Sequence, residues 1–153
     1  MIKSTQIELL PEGYHYITAI TKPQINTLIK KGVIQMGLFD QDICDIEDDG
    51  VRYILRRNPI RVEEIAESKQ SKLIHIEKLV ETKNVYLKEH PKAKISVAQK
   101  VVETKITRLK MSTWLKVAVG ASGSLKLVAD ENQFEEASTL DGCYVIKTDL
   151  PKD

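Results

Sequence analysis

The chain has only two cysteines among its 153 residues, Cys44 and Cys143. They stand far apart, with no disulfide or metal-ligand spacing around them. That excludes a cross-linked secreted scaffold and predicts reduced thiols in a cytoplasm. Aromatic residues make up 5% of the chain and Trp114 is its one tryptophan, which argues against a sugar-binding or broadly stacking surface. No apolar run is long enough to span a bilayer, so no membrane partner is expected. Lys3 to Glu12 is too polar for the core of a signal peptide. The three histidines, His15, His75 and His90, are isolated from one another and from both cysteines, so no metal site is predicted. No nucleophile elbow of the G-x-S-x-G type occurs. Gly120 and Gly123 lack the Lys-Ser/Thr of a phosphate loop and precede a strand, so they read as a hairpin turn. There is no internal repeat and no low-complexity segment.

What is present is an ordinary globular composition, 42% apolar and 29% charged. The net charge of +1 conceals a pattern. Residues 40–50 carry six acidic side chains and no basic one, whereas residues 51–116 carry 16 basic against 7 acidic. Residues 1–39 are net +2 and residues 117–153 net −4. A positive middle between acidic flanks suits nucleic-acid contact, and equally a lysine-rich solvated helical face.

Periodicity predicts an α+β chain. "STQIELLPEG" reads as a short helix capped at Ser4 or Thr5, followed by the strand "YHYITAI". "KPQINTLIKKG" reads as a helix with Pro23 in its first turn and Gly32 at its end. "VIQMGLFD", the acidic stretch to Gly50 and "VRYILRRNP" read as strands, with Asp49-Gly50 a hairpin signal. Residues 60–110 read as two helices broken at His90-Pro91. The first carries Val62, Ile65, Lys69, Leu73, Ile76, Val80, Lys83 and Leu87 at three- and four-residue steps, an apolar stripe interrupted by two lysine stems. "WLKVAVGASGSLKLVAD" reads as a β-hairpin and "ENQFEEAS" as a short helix or loop. "DGCYVIKTDL" reads as a strand with Cys143 and Val145 on one side and Tyr144 and Ile146 on the other.

Two polar stretches invite a functional reading. Asp45, Glu47, Asp49 and Gly50 match the start of an EF-hand loop, but Arg56 stands where the bidentate glutamate is required, so a solvated acidic hairpin is the better reading. In "RYILRRNPIR", Arg52 and Arg56 share one face of a strand, Arg57 lies on the other, and Arg61 follows the turn. Guanidinium forks suit phosphate. The alternative is pairing with the acidic strand directly across the hairpin. Trp114 could stack on a base, but beside Leu115 and Val117 it reads better as core.

"GLFDQDICDIEDDGVRYILRRNPIRVEE", "LVETKNVYLKEHPKAKISVAQKVVETKITRLKMSTWL" and "DGCYVIKTDLP" together resemble the middle of bacterial insertion-sequence transposases of the DDE class. The similarity is to a subgroup with a large insertion between the second catalytic Asp and the catalytic Glu. It covers nearly the whole chain in the same order, with "RRNP" followed by Glu63-Glu64, and "LDGCYVIKTDL", as its specific parts. The resemblance implies an RNase H-like fold in the intact enzyme, where three carboxylates hold two Mg²⁺ or Mn²⁺ ions for DNA cleavage and strand transfer.

In such enzymes the second Asp precedes a helix like "IKSTQIELL", and the Glu lies on a helix after the "DGCYVIKTDL" strand. By this alignment the chain holds none of the three carboxylates. Asp141 and Asp149 do not match the motif positions, so no catalytic residue, metal ligand or cofactor is carried over. The expectation is a truncated, catalytically inactive transposase fragment. It comprises a remnant of the RNase H-like core at 1–32, an insertion at 33–140 and a returning strand at 141–153. Within the insertion a β-rich lobe carries a long antiparallel helical hairpin at about 60–110 and a β-hairpin at 114–129. The resemblance further implies DNA contact through Arg52, Arg56, Arg57 and Arg61, with Lys100, Lys105, Arg108 and Lys110 as additional candidates. The expected partners are DNA, a full-length transposase and a second copy of the chain. The alternative is a stand-alone DNA-binding or self-associating module that modulates a full-length transposase.

Overall fold

Alternation at Val51–Arg57 builds the centre of a sheet in the computed structural model, which describes residues 3–152. The chain divides into two compact units, one running up to Val62 and resuming at Leu140, the other spanning Glu63–Thr139. The architecture is α+β, with antiparallel strand pairing throughout.

In the first unit, helix α1 (Ser4–Glu8), strand β1 (Ile17–Ala19) and helix α2 (Lys22–Lys30) precede strands β2 (Cys44–Asp48) and β3 (Val51–Arg57), and β6 (Cys143–Thr148) returns from the far end of the chain. The strand order is β1-β6-β3-β2. This sheet joins strands from all three expected segments: β1 from 1–32, β2 and β3 from 33–140, and β6 from 141–153. Asp49 (φ 51) and Gly50 (φ 71) both take positive φ, as a two-residue hairpin turn requires. Leu55 faces Val145, and Arg57 faces Cys143, across the β3–β6 ladder.

The inner face buries Tyr53, Leu55, Cys143 and Val145 against Ile25 of α2, Ile34 and Phe39. Each fully buried aliphatic or phenyl side chain here contributes about 1.5–3 kcal/mol. Both cysteines are buried and free. α2 starts with a capping box, in which the Thr21 backbone N–H donates to Gln24 Oε1 at 2.8 Å, and ends before Gly32 at φ 77.

Three local expectations need correction. Residues 33–40 do not form a strand. They end in a 3₁₀ turn, Met36–Asp40, because Ile34 and Phe39 both plug the core at 1% exposure and their odd separation does not fit a period of two. β1 is only three residues long, shorter than "YHYITAI" suggested. The N-cap of α1 is Lys3, whose backbone N–H donates to Gln6 Oε1, and not Ser4 or Thr5.

Asp141 precedes β6 as a buried residue whose Oδ1 accepts from Lys22 Nζ at 2.7 Å. Gly142 takes φ +72, and a Cβ there would stand 2.5 Å from Val62 Cγ2 and 2.8 Å from the Asn58 carbonyl oxygen. Only glycine lets β6 pass this close to the start of α3.

The second unit holds most of α3 (Pro59–Glu89), α4 (Ile95–Arg108), the hairpin β4 (Leu115–Val119) with β5 (Leu125–Ala129), and α5 (Glu131–Ser138). Pro59 occupies the first helical position of α3, and Asn58 accepts the Arg61 backbone N–H. Ile76 and Val80 of α3 pack with Ala98, Val102 and Ile106 of α4 and with Trp114, Leu115, Val117 and Leu125. Asn84 clamps β5 from α3: its Nδ2 donates to the Leu125 carbonyl at 2.9 Å and its Oδ1 accepts the Leu125 N–H at 2.7 Å. Asp130 caps α5 by accepting the Gln133 N–H. Trp114 is core, edge-on to Phe134 with ring centroids 4.8 Å apart. Among the described residues no helix is long and apolar enough to cross a membrane.

Candidate nucleic-acid interface

The eight basic side chains singled out from the sequence divide four and four between the two units. In the first unit, β3 presents Arg52 and Arg56 on the face opposite Tyr53 and Leu55. Arg52 is engaged within the protein. Its Nη2 and Nε donate to the two carboxylate oxygens of Asp45 at 2.6 and 3.3 Å, and its Nη1 donates to the carbonyls of Leu150 and Pro151 at 2.9 and 2.7 Å. The pair is shielded, with Arg52 16% and Asp45 19% exposed. The Arg52 hydrogen bond holds the Asp45 carboxyl below the usual carboxylate range, against an opposing effect of burial. Pairing with the acidic strand across the hairpin is therefore what the geometry gives at Arg52.

Arg57 lies on the inner side of the sheet, donating from Nε to Cys143 Sγ at 3.4 Å and from Nη1 to Asp40 at 3.1 Å. Arg56 is exposed and stands across the ladder from Tyr144, itself half exposed. Arg61 is exposed in the first turn of α3. The arginine cluster thus separates by role: Arg52 and Arg57 tie strands to neighbouring segments, while Arg56 and Arg61 reach the surface.

In the second unit, Lys100 and Arg108 are exposed on α4, Lys105 is half-buried beside them, and exposed Lys110 follows the helix at φ 59. The 3.6-residue period sorts the helices into stripes. On α4 the buried stripe is Ala98, Val102 and Ile106. Beside it runs the sequence Lys94, Val97, Val101, Lys105, Arg108. On α3 the stripe beside Ile76 and Val80 is Lys72, His75, Leu79, Lys83, Tyr86, His90. Neither stripe contains a carboxylate. Glu77 and Glu81 of α3 turn instead toward β5, sharing a groove with Leu125 and Leu127. Glu103 of α4 pairs with Gln99 on a different side.

The two basic stripes meet at the helical turn, where a cleft of about 250 Å³ is lined by Lys83, Tyr86, Lys94, Val97 and Val101 among others. Among the described residues no carboxylate lies within ion-pair distance of Lys72, Lys83, Lys94, Lys105 or Arg108. Unpaired cations on a face without acids attract a polyanion, and neutralising its phosphates releases the counterions condensed on it. The 14 residues of α4 span about 21 Å, the axial reach of about six base pairs.

Lys72, Lys83 and Lys94 belong to this face, although the sequence alone does not single them out. A signal for Lys83 exists in its place on α3, where it interrupts an apolar stripe; its meaning depends on having α4 alongside. Among the described residues no three His, Cys, Asp or Glu side chains gather as a metal site would require. Comparison of the chain with protein-family models, curated proteins and solved structures finds no match.

Proposed function

We propose that this chain is a non-catalytic part of a DDE-type transposase, the insertion region with adjoining strands of an RNase H-like sheet, and that it binds DNA through the basic stripes of α3 and α4. The observation that carries DNA binding is charge segregation: five cations on two adjoining helical stripes, with no carboxylate in either. The transposase reading is supported by the quoted motifs in their family order. It is supported further by the direct pairing of β1 with β6, two strands that the resemblance assigns to one sheet.

The binding is electrostatic and tracks the phosphate backbone. Fluorescence anisotropy with a labelled duplex should give an affinity that falls steeply with salt. Lys105→Ala with Arg108→Ala should lower the slope of log K against log salt by about 2, near 0.9 for each phosphate no longer neutralised. An unchanged slope in that double variant would remove the stripe as the site. Incubation of DNA with the protein and Mg²⁺ or Mn²⁺ should give no cleavage. A metal-dependent cut by pure protein, abolished by one carboxylate substitution, would overturn the non-catalytic assignment.

Self-association is a second reading, favoured by one observation. Ile17, Tyr144 and Ile146 are 63%, 50% and 39% exposed on the sheet face opposite the core, and apolar sheet surface of this kind recruits partners. Sedimentation velocity over a hundredfold concentration range tests it: a monomer throughout removes this reading and leaves DNA binding untouched.

A further inference from the structure

We infer that the cleft at the turn between α3 and α4 takes an unpaired base, so that the basic face prefers single-stranded to duplex DNA. This rests on the DNA-binding reading and specifies its substrate. A surface built only for duplex backbone has no use for apolar area among its cations, since phosphates and sugars meet donors and charge. Here the centre of the face is apolar. Tyr86 is 49%, Val97 61% and Val101 41% exposed, and all three line the one cleft, with Lys83 and Lys94 among its walls.

The ring of Tyr86 is held in place. It stacks on His90 with centroids 4.2 Å apart and planes 20° from parallel, and His90 Nδ1 lies 3.0 Å from the Tyr86 carbonyl oxygen. A fixed, half-exposed aromatic ring loses little freedom on meeting a base, and every base offers a π-face to it. The flanking ammonium groups supply the phosphate contacts that a strand threading the cleft requires.

Another apolar cavity of this unit, about 360 Å³ beside Trp114 and Phe134, lacks this combination. Its tryptophan is 6% exposed, and the Lys69 ammonium in its wall already donates to Ser138 Oγ at 2.7 Å.

The test is anisotropy with a labelled oligothymidine and with a duplex of equal length, at one salt concentration. The expected result is tighter binding of the single strand. Tyr86→Ala should weaken the single strand about tenfold and leave the duplex unchanged. Tyr86→Phe, which keeps the ring, should bind as the parent does. Lys83→Ala with Lys94→Ala should weaken both forms. Tyr86 is half exposed, so its truncation leaves the core intact, and far-UV circular dichroism checks that. Duplex preference, or equal binding with a silent Tyr86→Ala, overturns this inference and spares the DNA-binding reading. Binding of neither form overturns both.

Discussion

Replacing Arg52 with alanine separates a structural arginine from a DNA-binding one. The guanidinium makes two charge-assisted bonds to Asp45 and two bonds to the Leu150 and Pro151 carbonyls. A single hydrogen bond to a charged group contributes about 1.5–3 kcal/mol, and the loss leaves the shielded Asp45 carboxylate with the Lys152 ammonium, 3.8 Å away, as its remaining ion-pair partner. The pair is not fully buried, and bonds to one group do not add. The net cost expected for Arg52→Ala is therefore about 2–3 kcal/mol. For a chain of this size that corresponds to a fall in Tm of about 4–12 °C. Arg56 is exposed further along the same face of the strand, and Arg56→Ala should stay within about 0.5 kcal/mol of the parent.

The assay is urea denaturation followed by far-UV circular dichroism, with hydrogen exchange of peptides from β2, β3 and β6 to locate the loss. Trp114 lies in the second unit and would not report the sheet directly. Both variants then go into the anisotropy titration. The structural assignment expects Arg52→Ala to lose stability and keep its salt slope. A variant as stable as the parent that loses about one unit of slope would refute it and return Arg52 to the DNA contacts.

Three further perturbations test the packing. Gly142→Ala should cost about 2 kcal/mol or more, since alanine meets both the positive φ and the Asn58 carbonyl; a neutral result in thermal melts would mean that β6 can withdraw from α3. Asn84→Ala should cost about 1–2 kcal/mol and raise exchange at the Leu125 amide, because both backbone groups of Leu125 lose their partner. For pH, the carboxyls of Asp45 and Asp149 are held low, the first chiefly by Arg52 and the second chiefly by the Tyr16 backbone N–H. Their stabilisation is fully present above the unfolded carboxylate value of about 3.9 and is lost as pH falls from there through the folded values. Acid titration of Asp45→Asn should show a shallower loss than the parent, and an identical profile would contradict the fork.

The fold was legible where local chemistry and periodicity agree. Asp49-Gly50 announced the β2–β3 turn, His90-Pro91 the gap between α3 and α4, and the alternation of Cys143 and Val145 the inner face of β6. It was not legible at Ile34 and Phe39, where burial follows from the shape of the core and not from a repeat. Nor does a linear pattern reveal which strands pair. β6 lies between β1 and β3, so the sheet joins segments more than eighty residues apart, and only tertiary packing specifies that choice.

The candidate site shows the same limit more sharply. Counting arginines in "RYILRRNPIR" finds a cluster, but a strand sends successive side chains to opposite faces. Arg57 goes inward beside Cys143, and Arg52 meets the carboxylate that hairpin pairing brings near it. Sequence density therefore overstates the charge available to a ligand at that point. On α3 and α4 the error runs the other way. Lysines spaced three and four residues apart look dispersed along the chain, and each helix alone looks like a solvated surface. The helices share a core through Ile76, Val80, Ala98 and Val102, and that packing brings their basic stripes together around Tyr86. Available charge is set by where the carboxylates go as much as by where the lysines stand, and here Glu77 and Glu81 turn toward β5. A variant that moves one acid across, Val101→Glu, places a carboxylate in the cleft without touching the core. It should weaken DNA binding more than the loss of any one lysine, because it both removes apolar contact and repels phosphate. Retained affinity in that variant would show that the helical hairpin is not where the polyanion sits.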